Sequence, residues 1–259
     1  MEKELQVVDY IVNWLKSYAQ KAGVEGFIIG ISGGIDSALT STLCAKTGLK
    51  TLVVSMPIRQ TKAEFDRANE HILWLEDHFG NCSSKQIDLT EAFTQLEDSF
   101  SDFVVQNQLA MANTRSRLRM TTLYALGQAH RLLVAGTGNK IEDFGIGFFT
   151  KYGDGGVDLS PIADLTKSEV FELAGALNIV PSILNAKPTD GLWEDGRSDE
   201  DQIGATYPEL EWAMAFKGDE SALSSRQQEV LKIYRKLNTA NKHKMIPIPV
   251  CLLPEDLKY

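Results

Sequence analysis

Apolar and polar positions along the 259-residue chain switch repeatedly between a helical and a strand-like period. Glu4 to Lys21 places Val7, Ile11, Trp14, Leu15 and Tyr18 at helical spacing, and Gly23 stops the run. Phe27, Ile28 and Ile29 then form a short apolar stretch bounded by glycine, the pattern of a buried strand. Gly30 to Asp36 is a glycine- and serine-rich turn, after which Ala38, Leu39, Leu43 and Ala45 return to the helical period. The run TLVVSMPI, Thr51 to Ile58, predicts a second buried strand that ends at Pro57. Strand, helix and strand at this spacing predict a parallel pair with a right-handed crossover.

The alternation continues. Thr61 to Phe79 predicts a helix closed by Gly80, and Lys85 to Leu89 a weaker third strand, with Asp88 or Thr90 capping the short helix that follows. Leu109 to His130 is a long helical stretch, and Arg131 to Gly136 a fourth strand. Thr137 to Gly156 is rich in Gly, Asp and Lys and reads as a functional loop around a short helix. Leu159 to Ala163 is expected as a fifth short strand and Thr166 to Leu177 as a helix. Val180 to Gly204 is Pro-, Gly- and Asp-rich and long for a passive connector. Tyr207 to Phe216 and Ala222 to Leu237 predict helices, and the tail from His243 is Pro-punctuated and irregular. Helices alternating with apolar strands give an α/β fold with a doubly wound parallel sheet flanked by helices, which gathers ligands at the carboxyl ends of its strands.

Composition narrows the chemistry. A net charge of −9 argues against a protein built to hold nucleic-acid phosphates. Cys44, Cys82 and Cys251 are far apart and form no CxxC pair, which fits a reducing compartment. No stretch is apolar enough to span a bilayer, and the mixed-charge N-terminus is no signal peptide. A cytoplasmic protein with no nucleic-acid or membrane partner is expected.

The strand, tight glycine loop and helix start at Phe27 to Ala38 make an anion site, where backbone N–H groups converge and the helix dipole favours negative charge. Gly33 and Gly34 remove Cβ atoms where a phosphate must approach, and Ser32 and Ser37 add hydroxyls. Asp36 beside such a cradle requires a cation between carboxylate and phosphate, and Mg²⁺ takes both kinds of oxygen. The loop lacks the lysine of a Walker A motif. SGGIDSA resembles the pyrophosphate-binding loop of the N-type ATP pyrophosphatases, whose adenine-nucleotide alpha-hydrolase-like fold the resemblance implies. A second loop, GTGNKIED from Gly136, follows the fourth strand as the first loop follows the first. Its Glu142 is suited to share a cation with Asp36, with Asp143 the alternative.

Those loops, together with NTRSRLRM, FFTKYGDGGVDLSP, PTDGLW and the pair His243–Lys244, resemble NAD synthetase in the same order from about Gln6 to Pro249. Ile141 departs from the small residue of GTGNKSE-type members. The family joins ammonia to deamido-NAD⁺ with Mg²⁺ and ATP, and works as a homodimer. The resemblance implies ATP binding by Gly30, Ile31, Ser32, Gly33, Gly34, Ile35, Asp36 and Ser37, with further contacts from Thr137, Lys167 and Thr189. It implies metal ligation by Asp36 and Glu142, and deamido-NAD⁺ binding by Arg117, Lys151, Asp158, His243 and Lys244. Asp154 matches an aspartate that receives and deprotonates ammonium, which with Asp36 and Lys167 completes the expected catalytic set. Arg59 and Gln60 are expected near the adenine or ribose, the apolar part of the long helix near Leu118 to Leu126 at the dimer interface, and Gly196 to Gly204 in a lid. Only 26 residues precede the first strand, so residues 1–259 are expected to be one synthetase domain without an amidase domain, using free ammonia. Another adenylating enzyme of the superfamily, or a nucleotide sensor, are the competing readings.

Overall fold

Gly26–Gly30 forms the central strand β1, with Phe27, Ile28 and Ile29 fully buried. The computed structural model describes residues 2–189 and 198–258. Pairing is parallel throughout. β1 lies between β2, Lys50–Ser55, and the short β4, Leu132–Val134, while β3, Cys82–Gln86, pairs with the far side of β2. The order is β3-β2-β1-β4.

Successive strand residues point to opposite faces, and each face acquires its own core. Phe27, Ile29 and Val53 pack with Val8, Leu15, Leu39, Leu43 and Val170, drawn from α1 (Glu2–Ala22), α2 (Ile35–Lys46) and α7 (Lys167–Ala176). Ile28, Leu52 and Val54 pack on the other side with Phe93, Met120, Leu123 and Val134, which brings in α4 (Thr90–Asp98) and α6 (Gln108–His130). Helices on both faces are the doubly wound arrangement that the alternating pattern predicts. The remaining helices along this part of the chain are α3, Lys62–His78, and α5, Asp102–Val105.

A third core is wholly helical. After β4, Ile141–Ile146 forms one wide π-helical turn, whose Ile141 and Ile146 are buried against Tyr207, Leu210, Ala213, Val230 and Leu231. Those partners belong to α10, Tyr207–Ala215, and α11, Ser225–Met245. Two short helices, α8 (Pro181–Leu184) and α9 (Asp199–Ile203), precede them. Among the described residues, no helix is long and apolar enough to cross a membrane.

Several elements differ from expectation. Leu159 to Ala163 is not a fifth strand: Leu159 makes one bridge to Ala135, and the chain then turns at Pro161, which has no N–H for a ladder. β3 starts three residues earlier than expected, at Cys82. α11 runs past Leu237 to Met245 and carries His243 and Lys244 on its last turn. On α1 the buried stripe is Val8, Ile11, Val12, Leu15 and Ala19, leaving Trp14 and Tyr18 on the surface against each other. On α6, Leu118, Met120, Leu123 and Leu126 all pack into the second core.

Candidate active site

The sheet and its loops enclose a cavity of about 860 Å³. The whole loop from Gly30 to Ser37 lines one side of it. Gly34 is the N-cap of α2 and brings no side chain to the first-turn N–H groups, so the helix N-terminus opens into the cavity. Ser32 Oγ accepts from Gly34 N–H and lies 3.0 Å from Ser37 Oγ, and Ser37 Oγ donates to Gly34 O at 3.0 Å. Gly33 has φ +85°, and a Cβ there would lie 2.5 Å from Glu64 O in the first turn of α3. Glycine is needed at this point for the loop to seat on that helix, beyond the approach of a phosphate that the sequence suggests.

The electrostatic centre gathers three distant segments. Lys167, the first residue of α7, is buried, and its Nζ donates to Asp36 Oδ2 at 2.6 Å and Glu142 Oε1 at 3.0 Å. Burial alone would lower the Lys167 pKa, but the two carboxylates outweigh it and hold it above the ordinary value. Of the two acids left open by the sequence, Glu142 is the one that meets Asp36 at the Lys167 ammonium. Asp143 lies one position on, with its carboxyl packed so tightly on Gly138 that a Cβ there would be 2.1 Å away. Burial, and then the negative charges of Glu142, Asp154 and Asp36, push Asp143 up to about 8.

Tyr207 and Asn139 complete this centre, and no motif in the sequence assigns either of them a role. Tyr207 O–H donates to Glu142 Oε1 at 2.5 Å, lies 3.1 Å from Asp199 Oδ2, and has the Lys167 ammonium over its ring at 4.7 Å. Asn139 Nδ2 donates to Asp36 Oδ1 at 3.1 Å. The residue is visible as the Asn of GTGNK, but its partner Asp36 is 103 positions away and unreadable from spacing.

Asp36 and Glu142 pass a test as Mg²⁺ ligands on their chemistry. Their oxygens converge on one positive charge, and Mg²⁺ is usually held by one or two carboxylates with phosphate oxygens supplying the rest. Among the described residues no set of three His, Cys, Asp or Glu side chains is arranged to hold a metal by itself.

The opposite end of the cavity is built on α6, the segment 148–154 and the end of α11. Asp154 Oδ1 accepts from Ser116 Oγ at 2.6 Å and Thr150 N–H at 3.1 Å. Burial raises the Asp154 pKa, and these hydrogen bonds to its charged form oppose the rise. Arg117 Nε donates to Lys151 O, Lys151 Nζ to His243 O, and Lys244 Nζ to Phe149 O at 2.7 Å. Each of these three cations rests on a carbonyl rather than in a carboxylate ion pair, which leaves its charge for an anionic ligand. Lys244 also stands 4.9 Å from the Phe149 ring centroid, and burial lowers its pKa. Arg119, partly buried with its Nε on Met56 O and pushed down to about 10 by desolvation, adds a fourth cation at this end of the lining.

Most expected site residues thus face one space: the 30–37 loop, Thr137, Glu142, Lys151, Asp154, Lys167, Thr189, Arg117, His243, Lys244 and Gln60. Two do not. Asp158, exposed, has its Oδ2 accepting from Val134 N–H at 2.8 Å and its Oδ1 from Tyr124 O–H at 3.0 Å. Arg59 faces α4 instead, bonded to Glu97 at 2.7 Å and Thr94, over the Phe93 ring. PTDGLW from Asp190 onward, with Trp193, and the start of the expected lid at 196–204 fall outside the described residues. Trp212 packs on Phe216.

A glycine loop and helix N-terminus at the carboxyl edge of a parallel sheet, with two carboxylates and a lysine beside it, form an anion site of the doubly wound α/β class, as the resemblance to the ATP pyrophosphatase loop implies. The particular family follows from comparison with known proteins. Residues 7–247 match the NAD synthase family, and the chain belongs to it. It is 38% identical over 232 residues to the NH(3)-dependent NAD(+) synthetase of Mesoplasma florum, covering 88% of this chain and 91% of that one. Among solved structures it resembles the NMN synthetase from Francisella tularensis, with 33% identity, a TM-score of 0.84 and coverage of 97% and 98%. The NH3-dependent NAD synthetase from Campylobacter jejuni, solved in complex with nitrate, shares its fold at 23% identity and TM-score 0.74, over 96% and 99% of the two chains.

Proposed function

We infer that this chain is an ammonia-dependent NAD⁺ synthetase, which amidates the nicotinate carboxylate of deamido-NAD⁺ and converts ATP to AMP and pyrophosphate. The observation that carries this reading is one cavity with an anion loop and the Asp36–Lys167–Glu142 centre at one end and Arg117, Lys151 and Lys244 at the other.

A carboxylate resists ammonia because its charge is delocalised and its leaving group would be oxide. Transfer of AMP removes that obstacle: a carboxylate oxygen bonds to the α-phosphorus, and the bond from that phosphorus to the β-phosphate bridge breaks. The N-terminus of α2, Ser32, Ser37 and Lys167 take up the charge on the departing pyrophosphate. Asp36 and Glu142 would hold Mg²⁺, which when bound supplies further neutralisation of phosphate charge. Arg117 and Lys151 hold the substrate's own phosphate, which arginine can bind in a bidentate manner. Asp154 receives ammonium and removes its proton. Ammonia then bonds to the carbonyl carbon, the bond to AMP breaks, and a second proton leaves with the amide formed. Thr137, Thr189 and Gln60 complete the ATP side, and His243 and Lys244 the other. We also propose a homodimer in a cytoplasmic setting; the three cysteines are free thiols, which suits that compartment.

The test is NAD⁺ formation from deamido-NAD⁺ and Mg·ATP, with ammonium and glutamine supplied in parallel. Product with ammonium alone, matched by AMP, is expected. No product from either nitrogen donor, with ATP still bound, sinks the assignment.

One observation favours a second reading, amidation of nicotinate mononucleotide. Asp158, matched to the dinucleotide, is not part of the cavity lining, and the NMN synthetase fold is matched at TM-score 0.84. Measuring kcat/KM for both acids in the same preparation decides between them.

A further inference from the structure

Asp36, in the first turn of α2, and Glu142, in the π-helical turn, follow different strands, yet their oxygens meet one ammonium within 3.0 Å. Something must fix the two segments against each other, because two carboxylates at such a distance repel. Lys167 supplies the compensating charge but is a flexible chain with a point-charge head. It does not set the plane of either carboxylate.

Asn139 touches both segments. Its side chain is completely buried. The carboxamide oxygen accepts from the backbone N–H groups of Ile141 and Glu142, each at 3.1 Å, which anchors the start of the π-helical turn that carries Glu142. With the oxygen so committed, the amide nitrogen faces the first segment and donates to Asp36 Oδ1 at 3.1 Å. The other oxygen of that carboxylate is left for Lys167 at 2.6 Å. Asp36 therefore has one oxygen on a fixed dipole and one directed at the cationic centre. The backbone O of Asn139 also accepts from Asp143 N–H at 2.9 Å, so the turn is held to this residue at three points.

We propose that Asn139 is a positioning residue: it sets the orientation of the Asp36 carboxylate and the placement of Glu142 together, so that both address one cation and the ATP phosphates. An amide suits the position, which needs an acceptor on one side and a donor on the other. The proposal rests on reading Asp36 and Glu142 as the pair at the ATP phosphates.

Asn139→Asp isolates the link. It preserves shape and both acceptor contacts, but replaces the donor facing Asp36 by a second carboxylate. In the purified chain kcat is expected to fall by about 100-fold, the scale of a small misplacement of reacting groups. The Mg²⁺ concentration for half-maximal activity should not rise, because the variant carries more negative charge. A residue that only supports the fold would lower the melting temperature and leave kcat per folded molecule near that of the parent. The exchange Asp36→Asn with Asn139→Asp supplies the second readout, which needs no turnover. It rebuilds the same hydrogen bond in reverse, so its loss of melting temperature should be smaller than the sum of the two single losses. Additive shifts, kcat within twofold of the parent, or failure of both single and exchanged variants to fold each overturn the proposal. If the enzyme proves to act on another acid, the melting measurement still decides whether positions 36 and 139 are linked.

Discussion

Ser116 and Asp154 hold each other twice: Ser116 Oγ donates to Asp154 Oδ1 at 2.6 Å and accepts from Asp154 N–H at 2.9 Å. The contact crosses 38 positions of sequence and joins α6 to the segment carrying the proposed ammonium base. The neighbouring Gly153 leaves room for it, since a Cβ there would lie 2.2 Å from Ser116 Oγ. A hydroxyl bonded to a carboxylate favours its charged form. Ser116→Ala should therefore raise the Asp154 pKa further and move the acid limb of the pH–rate profile to higher pH. A roughly tenfold fall in rate at neutral pH is expected from losing one such hydrogen bond. An acid limb that stays where it is in the variant would remove Asp154 from the role of proton acceptor.

The Lys167 ammonium sits between two carboxylates with only 4% of its side chain exposed. Removing one member of a buried ion pair leaves charge uncompensated and costs about 3–5 kcal/mol. Lys167→Met keeps the stem of the side chain and should lose stability on that scale, with turnover abolished. Mg·ATP should recover more of the melting temperature in the variant than in the parent, because a divalent cation replaces the missing charge. Denaturant unfolding with and without Mg·ATP measures both effects.

Gly33 offers a test of the loop that is independent of charge. Its left-handed φ of +85°, and the 2.5 Å that would separate an added Cβ from Glu64 O, leave no room for a side chain against backbone. Gly33→Ala must shift the loop away from α3, at a cost of about 1–3 kcal/mol. ATP affinity should weaken more than stability does, since the displaced segment carries the convergent N–H groups. Calorimetric ATP titration beside a melting curve separates the two. Gly80→Ala, at a position with nothing within 4 Å, is the matched control.

The central unit is legible in the sequence because three signals agree there: an apolar run, paired glycines and a return to helical period within a dozen residues. The polar end of α11 is less so. Beyond Leu237 its helical stripe fades, because Asn238 and Asn241 spend their amides on Gly145 O and Ile146 O across the third core. Those residues look like loop formers in sequence and act as tertiary ties in the fold. Edge strand β3, CSSKQ, has little apolar character because half-exposed positions dominate it, which draws the expectation toward Ile87 and Leu89. In the site, Asp36, Glu142, Asp154 and Lys167 are legible through motif resemblance. Asn139, Tyr207 and Ser116 act by touching those residues, and sequence spacing carries no trace of such contacts. Asp158 shows the converse: a motif position whose carboxylate is committed to the strand and to Tyr124.

His71 provides a prediction about stability away from the site. It is fully buried on α3, with Nε2 3.0 Å from Ser41 Oγ on α2 and its ring stacked on Trp74. Burial pushes its pKa down to about 4, against an ordinary value near 6.5. The folded protein thus keeps His71 neutral, while the unfolded chain binds a proton as pH falls through about 6.5. The sign follows: stability is fully present above that value and is lost progressively on acidification toward pH 4. At about 1.4 kcal/mol per pH unit, the loss attributable to this one group approaches roughly 3 kcal/mol at the lower end. His71→Gln retains a polar partner for Ser41 but cannot titrate. Its unfolding free energy should start below that of the parent near neutral pH and fall less steeply between pH 6.5 and about 4. Parallel pH slopes for the two proteins would place the acid sensitivity on other groups.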